Sequence, residues 1–261
     1  MPMRLRYYMM SASSPAAERG DVPPLGDREV HLWRIDLHGA PWLDTEAILD
    51  TSERDRAARF VFPRDRSRYL RAHHAVRVLL GAYLVVSPAM VRIVPDHHGK
   101  PMLNDHALGF NLSHSGDCAL LAVSRVAEIG VDVEMLRLPR EARQIAESVF
   151  SAAELETLSS VSDDALETAF FTCWTRKEAY LKALGIGLTI NPATVTVGLE
   201  TGLQRIKIAG RDANQFVDVV SIADHSDRAA AIAVVGGYSS IRIFDYAHRF
   251  SHHHTDMHHG G

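Results

Sequence analysis

The sequence has little of what marks secreted or membrane proteins. It contains only two cysteines, Cys118 and Cys173, among 261 residues. Both stand in apolar surroundings, and they form neither a disulfide framework nor a zinc-binding cluster. No hydrophobic run reaches the roughly 20 residues that span a membrane, and the apolar stretch near the N-terminus is too short for a signal-peptide core. We therefore expect a cytoplasmic protein with reduced, buried thiols.

An excess of positive charge is also absent. The chain has 28 Lys and Arg against 32 Asp and Glu, a formal net charge of -4 at pH 7. A protein without a basic field is not expected to bind nucleic acids non-specifically, nor is a membrane partner expected. Hydrophobic residues make up 46% and charged residues 23%, which is typical of a globular protein with one large or two small cores.

The two ends of the chain differ in composition from the rest. Residues 1–27 are rich in small residues and proline and are predicted to form a flexible leader. Residues 247–261 hold a histidine-rich segment, with five histidines in the last ten residues. Their spacing matches no structural zinc pattern, so we predict a disordered tail, with metal binding as the alternative.

Hydrophobic periodicity predicts two long helices. The segment RDRSRYLRAHHAVRVLLGAYL after Pro63 places its apolar residues near one stripe, and a second helix covers residues 163–184 and ends at Gly185. Two short helices with Ser or Thr at their caps are also predicted, TSERDRAARF from Thr51 and SAAELETL from Ser151.

Short β-like runs stand on both sides of the second long helix. They are MVRIV, LGFNLSH, CALLAVS and EIGVDVEM before it, and ATVTVGL, LQRIKIAG, FVDVVSI, AAAIAVV and SIRIFDY after it. HSGDCALLAV from His114 also aligns with HSDRAAAIAV from His225, sharing His, Ser, two Ala and the final Val. We therefore predict an α/β (α+β) fold with two similar halves, residues 28–125 and 126–246, around a cleft.

Two acidic residues in GVDVEM point to one side of a predicted strand. Asp132 and Glu134 alternate with Val131 and Val133, so the valines enter the core and both carboxylates leave the opposite face. Such a pair is tolerated well when a cation lies between the two acids. The alternative is a solvated strand face.

A row of residues on the second long helix adds a third carboxylate. Trp174, Glu178 and Lys182 are spaced by four, with Lys177 beside them. Glu178 and Lys182 could form an ordinary surface ion pair, but Trp174 indicates that the row borders the core. An acid at that border needs a partner, and Mg²⁺ shared with the two strand carboxylates would supply one.

Two loop or strand-end segments supply hydrogen-bond donors. In HHGKP, Lys100 stands on a turn between Gly99 and Pro101, and FNLSHSGD brings Ser113 and His114 to the end of a strand. A solvated loop lysine and a turn-capping histidine are the alternatives.

In chain order, GKP, FNLSHS, GVDVE and WTRKEAYLKALGIGL resemble the Sfp-type 4′-phosphopantetheinyl transferases. The resemblance runs from about residue 50 to residue 190. It implies a fold of two related α/β halves with coenzyme A in the cleft between them. It also implies transfer of the 4′-phosphopantetheine arm of coenzyme A to a serine of an apo acyl, aryl or peptidyl carrier protein, with release of adenosine 3′,5′-bisphosphate.

The resemblance also implies roles for individual residues. Asp132, Glu134 and Glu178 would bind Mg²⁺, with Mn²⁺ as a substitute, while Glu178 and Lys182 would be catalytic, as base and as phosphate ligand. The residues implied in coenzyme A binding are Arg56, Arg68, Gly99, Lys100, Pro101, Asn111, Ser113, His114, Asp132, Lys177 and Lys182.

Two other functions are compatible with parts of the pattern. The D-x-E pair with a nearby lysine is also found in metal-dependent nucleases and phosphodiesterases, although the net charge of -4 argues against this class. A non-catalytic module that binds coenzyme A or a carrier protein is the second alternative. We expect a monomer with internal pseudo-symmetry.

Overall fold

A computed structural model describes residues 22–246, apart from residues 44, 106, 127, 186, 188, 189, 210–214 and 224. Most of the predicted leader and the whole histidine-rich tail therefore lie outside the described residues. Within the described part, no helix combines the length and the apolar composition needed to cross a membrane.

Ten strands and six helices make up the described chain. The strands are β1 (Glu29–Asp36), β2 (Ile93–Pro95), β3 (Pro101–Leu103), β4 (Gly109–Ser115), β5 (Cys118–Ser124), β6 (Ile129–Met135), β7 (Gln204–Lys207), β8 (Phe216–Ser221), β9 (Arg228–Val235) and β10 (Ser240–Asp245). The helices are α1 (Thr45–Ile48), α2 (Thr51–Ala58), α3 (Pro63–Leu84), α4 (Ala142–Val149), α5 (Ala152–Ser159) and α6 (Asp163–Leu184).

Two four-stranded sheets repeat one arrangement. The first sheet has the order β10-β1-β5-β4 and the second the order β6-β9-β8-β7, with β2 and β3 forming a separate hairpin. The antiparallel trio β1-β5-β4 corresponds to β6-β9-β8, and α3 and α6 each have 22 residues. The sequence echo falls on β5 and β9, which occupy the same place in the two sheets. The predicted α+β fold with two similar halves is confirmed.

Alternating side chains divide the core into layers. Leu79 of α3 packs with Leu121 of β5 on the outer face of the first sheet, and α6 covers the second sheet through residues such as Ala179. Side chains on the inner faces, including Leu120 and Val131, form a third apolar cluster. This follows from the period of two along a strand, which sends neighbouring residues to opposite faces. The layers run helix, sheet, sheet, helix.

Chain order does not separate the two sheets completely. Strand β10, within the predicted 126–246 half, pairs in parallel with β1, from Glu29↔Ser240 to Arg34↔Asp245. Strand β1 was not among the predicted strands. The first sheet therefore takes its edge strand from the end of the described chain.

Two local predictions were wrong. Helix α2 is capped by Asp50 rather than by Thr51 or Ser52, because the Asp50 carboxylate accepts a hydrogen bond from Glu53 N at 2.9 Å. The segment ATVTVGL is not a strand, since it begins in a 3₁₀ turn over Pro192–Thr194. Its backbone N–H groups bond to helix side chains rather than to a neighbouring strand. For example, Val197 N donates to Glu154 Oε1 at 2.7 Å.

Candidate active site

The two sheets meet where β4 lies beside β6. Serine side chains of β4 face the acidic side chains of β6, because both strands present alternate residues to this junction. Ser113 Oγ donates to Asp132 Oδ1 at 2.9 Å, and Ser115 Oγ donates to Glu134 Oε2 at 2.8 Å. Asn111 Oδ1 accepts from Val131 N at 2.8 Å and ties the two strands together.

Helix α6 packs unusually close to β6. A Cβ atom at Gly130 would lie 2.1 Å from Ala179 O and 2.4 Å from Ala183 N, so only glycine fits between this strand and this helix. The close approach brings Lys182 within reach of the junction. Its Nζ donates to Asp132 Oδ1 at 2.6 Å and to Ser113 Oγ at 3.1 Å.

Burial sets the electrostatics of the three carboxylates. Asp132 is 3% exposed, and burial raises its pKa to about 6 although Lys182 and Ser113 oppose the shift. Burial also raises the pKa of Glu178, with Lys182 opposing and Glu134 adding to the rise. Glu134 has the same repulsive effect on Asp132, so it lies close enough to both of the other predicted metal ligands to shift their pKa values.

The donor set fits a hard cation without forming a finished cage. Asp132 Oδ2 is buried and has no hydrogen-bond partner within the described part of the chain, and Lys182 contacts the other oxygen. Among the described residues, no three Asp, Glu, His or Cys side chains are close enough together to enclose a metal ion. Carboxylate oxygens beside serine hydroxyls are nonetheless ligands that Mg²⁺ accepts. Binding by Asp132, Glu134 and Glu178 remains a prediction.

A cavity of about 940 Å³ lies between α2, α3, β4 and the β2–β3 hairpin. Its size is within the usual range for small-molecule sites. Five of the predicted coenzyme A residues line it, namely Arg56, Gly99, Pro101, Asn111 and His114. The described lining residues all come from positions 50–114, which places the cavity in the first half of the chain rather than in a cleft between the halves.

His114 connects this cavity to the carboxylates. It lines the cavity, while its neighbours in β4, Ser113 and Ser115, hold the acids. The surrounding protein lowers the His114 pKa by desolvation, and the positive charge of Lys182 adds to the effect. A ligand in the cavity would therefore reach the acidic cluster past a neutral imidazole.

Lys177, which was predicted to bind coenzyme A, has other partners in this structure. Its side chain is 4% exposed and forms an ion pair of 2.7 Å with Glu154 Oε2. It also donates to the carbonyl oxygens of Pro192 (3.0 Å) and Val195. Lys177 points away from the Lys182 row because neighbouring positions on a helix lie about 100° apart. It anchors the loop after α6.

Two other predicted ligands are engaged elsewhere. Lys100 Nζ donates to Ile129 O at 3.0 Å and to Ala183 O at 3.2 Å, so it joins β6 to the end of α6 rather than facing the cavity. Arg68 pairs with Asp117 Oδ1 at 2.8 Å and does not line the cavity. Lys100 thus bonds to backbone carbonyl groups, and Arg68 pairs with a nearby carboxylate. The predicted contacts of these two residues with coenzyme A stay predictions, and each would require the side chain to leave its present partners.

The sequence reasoning missed three residues at the site. Ser115 holds Glu134, and its position two residues after Ser113 on the same strand could have indicated it. Tyr69 and His73 line the cavity as a stacked pair with ring centroids 4.0 Å apart. They lie four residues apart on α3, the spacing that places side chains in one row.

Comparison with known proteins agrees with this geometry. Residues 35–126 match the family model described as 4′-phosphopantetheinyl transferase, N-terminal, and residues 128–235 match the 4′-phosphopantetheinyl transferase superfamily. The boundary between the two matches falls between β5 and β6, where the second half of the fold begins. Two transferase models in tandem define the class of the protein as a transferase.

Relatives from distant organisms carry the same name. The chain is 42% identical to 4′-phosphopantetheinyl transferase HetI of Nostoc sp. strain PCC 7120, over 61% of this chain and 70% of the relative. It is 29% identical to a phosphopantetheinyl transferase of Thraustochytrium sp., over 76% and 74% respectively. Identity to the mouse L-aminoadipate-semialdehyde dehydrogenase-phosphopantetheinyl transferase is 30%, and the match spans about half of that protein. The chain belongs to the 4′-phosphopantetheinyl transferase superfamily.

Proposed function

We propose that this protein transfers the 4′-phosphopantetheine arm of coenzyme A to a serine of an apo acyl, aryl or peptidyl carrier protein. The main observation in support is that Asp132 accepts hydrogen bonds from Ser113 and Lys182 beside a cavity of about 940 Å³, in a chain of this superfamily. The cavity would hold the nucleotide end of coenzyme A. No observation favours the nuclease alternative or a non-catalytic binding module.

The reaction is a displacement at phosphorus. The carrier serine oxygen bonds to the phosphorus that bears the pantetheine arm, the bond from that phosphorus to the bridging oxygen breaks, and adenosine 3′,5′-bisphosphate leaves. Serine is a weak nucleophile, so its proton must pass to a base. Glu178 is the proposed base, because its carboxylate lies in the fields of Lys182 and Glu134 at the junction.

Charge on the pyrophosphate is balanced by this chain and by a cation. Lys182 is the proposed partner of the leaving phosphate, which would draw its ammonium group away from Asp132 Oδ1. Asp132, Glu134 and Glu178 would then hold Mg²⁺ or Mn²⁺. When bound, such an ion supplies charge neutralisation and alignment of the pyrophosphate.

Arg56, Asn111, Ser113 and His114 are the proposed contacts of the nucleotide end. Three of them line the cavity, and Ser113 lies beside His114 on β4. Buried free thiols at Cys118 and Cys173 support a cytoplasmic location, where coenzyme A would be the co-substrate. We propose no nucleic-acid or membrane partner.

The first experiment is intact-protein mass spectrometry of apo carrier proteins incubated with the protein, coenzyme A and Mg²⁺. A gain of one phosphopantetheine arm is expected, with loss of the gain in EDTA and recovery on adding Mn²⁺. Glu178→Gln should remove turnover while the protein stays folded, because it keeps the side-chain shape without the basic carboxylate. The absence of any gain with fatty-acid, polyketide and peptide carriers would overturn the proposal.

A further inference from the structure

Three consecutive apolar side chains stand on the surface between α2 and α3. Phe60 is 37% exposed, Val61 85% and Phe62 64%. A run of exposed apolar residues costs solubility and is normally avoided unless it contacts a partner. We name Arg59–Phe62 the α2–α3 corner.

The α2–α3 corner has a fixed backbone. Arg59 ends α2 and donates its N–H to Arg56 O at 3.1 Å, while Phe62 stands at the start of α3 with an extended backbone. Phe62 O accepts from the backbone N–H groups of both Asp65 and Arg66 at 3.1 Å, and Pro63 fixes the first helical position. The apolar side chains are therefore presented on a rigid support, which lowers the entropic cost of binding.

The corner is continuous with the proposed active site. Arg59 and Phe60 line the same cavity as His114, and the Phe60 ring lies 5.3 Å from that of Tyr69, another lining residue. A partner seated on Val61 and Phe62 would thus lie at the cavity wall. A serine that must reach the phosphorus of a bound coenzyme A needs such an approach.

The charge around the corner selects an acidic partner. Residues 54–68 contain six arginines and two aspartates, although the whole chain has a formal net charge of -4. Within the described part of the chain, Arg59 forms no ion pair with a carboxylate and is available to a partner, whereas Arg56 lies over the Tyr69 ring at the cavity. Apolar anchors inside a basic rim match an acidic helix with an apolar face.

We propose that the α2–α3 corner is the docking surface for the apo carrier protein, which would place an acidic amphipathic helix on Val61 and Phe62. This rests on the proposed function, since it names where that function's protein substrate binds. Val61 and Phe62 are the apolar anchors, and Arg59 pairs with an acid of the carrier. The docked carrier closes one side of the cavity that holds coenzyme A.

Steady-state kinetics on the full chain separate docking from chemistry. Val61→Ser with Phe62→Ser should raise the KM for the carrier protein by about tenfold or more, as expected on losing two interface anchors. The KM for coenzyme A should stay within about twofold, because neither side chain lines the cavity. Arg59→Glu should also raise the carrier KM, together with the KM for coenzyme A because Arg59 lines the cavity, and added salt should weaken the wild-type interaction.

A matched control is provided by Met90→Ser. Met90 is 63% exposed, stands on the 3₁₀ turn that follows α3 and is not among the described residues that line the cavity. It should leave both KM values unchanged. No variant should melt below wild type, because the substituted side chains are exposed and Ser at position 62 supplies α3 with a side-chain N-cap.

The outcomes distinguish this proposal from the proposed function. If wild type transfers the arm and the serine variants keep the wild-type carrier KM, the docking surface is wrong and the function stands. If wild type transfers nothing to any carrier, the function itself fails. If the serine substitutions instead abolish self-association in sedimentation analysis and leave carrier kinetics intact, the corner contacts a second copy of this chain, which overturns the proposal.

Discussion

Two lysines five residues apart on one helix have different surroundings. Lys182 is about 30% exposed and contacts Asp132 and Ser113, whereas Lys177 is buried with Glu154. A sequence pattern that places both beside Glu178 cannot separate them. Their surroundings do, because a buried pair must satisfy every donor and acceptor while a partly exposed lysine can move to a ligand.

Substitution of each lysine by methionine should therefore produce opposite phenotypes. Lys177→Met leaves Glu154 without its counter-charge and should lower the free energy of unfolding by about 3 kcal/mol, while the folded fraction still binds coenzyme A. Lys182→Met should abolish carrier modification with a smaller loss of stability, because Asp132 can be neutralised by a proton.

Urea unfolding and mass-spectrometric carrier assays on the same preparations measure both effects. The pair of variants serves as mutual control, since the substitution is the same on the same helix. A Lys177→Met protein with wild-type stability but no affinity for coenzyme A would restore the original sequence prediction for Lys177.

At the scale of elements, the site depends on how closely α6 approaches β6. Gly130→Ala would place a Cβ atom 2.1 Å from Ala179 O, a contact that only movement of the helix can relieve. That movement should separate Lys182 from Asp132. We expect a loss of at least ~2 kcal/mol in stability, as for severe overpacking, together with a large fall in turnover.

Gly202→Ala is the matched control, because no atom lies within 4 Å of the added Cβ and Gly202 has no positive φ. Melting temperatures and initial rates of both variants give the comparison. Gly130→Ala with wild-type melting and turnover would show that the close helix–strand contact is not needed for the site.

The end of α3 stores backbone strain. Val85 adopts φ 57° and ψ 42° in the left-handed region, which is costly for a β-branched residue, and it is 89% exposed. Val85→Asn should stabilise the protein by about 1 kcal/mol, because Asn tolerates this conformation and no packed contact is lost.

Chemical unfolding at neutral pH measures the gain, and Met90→Asn, exposed but without a positive φ, should give none. Equal effects of the two substitutions would indicate that replacing an exposed apolar side chain by a polar one, rather than relief of backbone strain, changes the stability.

At the scale of the whole molecule, the sequence was sufficient to predict the helices and strands that show a clear hydrophobic period and the motifs that lie on them. The bounds of α6 and of β5 were predicted correctly, since periodicity and a helix-ending Gly185 are local signals. The pairing of β10 with β1 was not predicted, because no local pattern tells which distant edge a strand joins.

The site was predicted in the same uneven way. Asp132 and Lys182 were placed together by their motifs, whereas the true partners of Lys100, the carbonyls of Ile129 and Ala183, are set only by packing. A backbone carbonyl has no sequence signature, so hydrogen bonds from a charged side chain to the backbone cannot be predicted from the sequence.

Protonation of buried histidines links pH to the stability of the whole fold. His31 is fully buried between Tyr83 and Glu29, and burial lowers its pKa from 6.5 to about 4. Burial shifts His74 in the same direction, also to about 4. Between pH 6.5 and pH 4 these histidines are therefore protonated in the unfolded chain but not in the folded chain. Their contribution to stability is complete above pH 6.5 and falls as the pH drops through this window.

The loss assigned to His31 is about 3 kcal/mol at pH 4, from roughly 1.4 kcal/mol per pKa unit. Asp132 has the opposite effect on stability, because its raised pKa makes the folded protein gain stability as the pH falls below about 6. This gain offsets only part of the stability lost through the two histidines.

The urea midpoint of wild type should therefore decrease from pH 7.5 to 6.0 to 5.0. His31→Gln should flatten the decline while lowering stability at pH 7.5, and His97→Gln, an exposed control, should do neither. An unchanged slope in His31→Gln would assign the acid sensitivity to other groups.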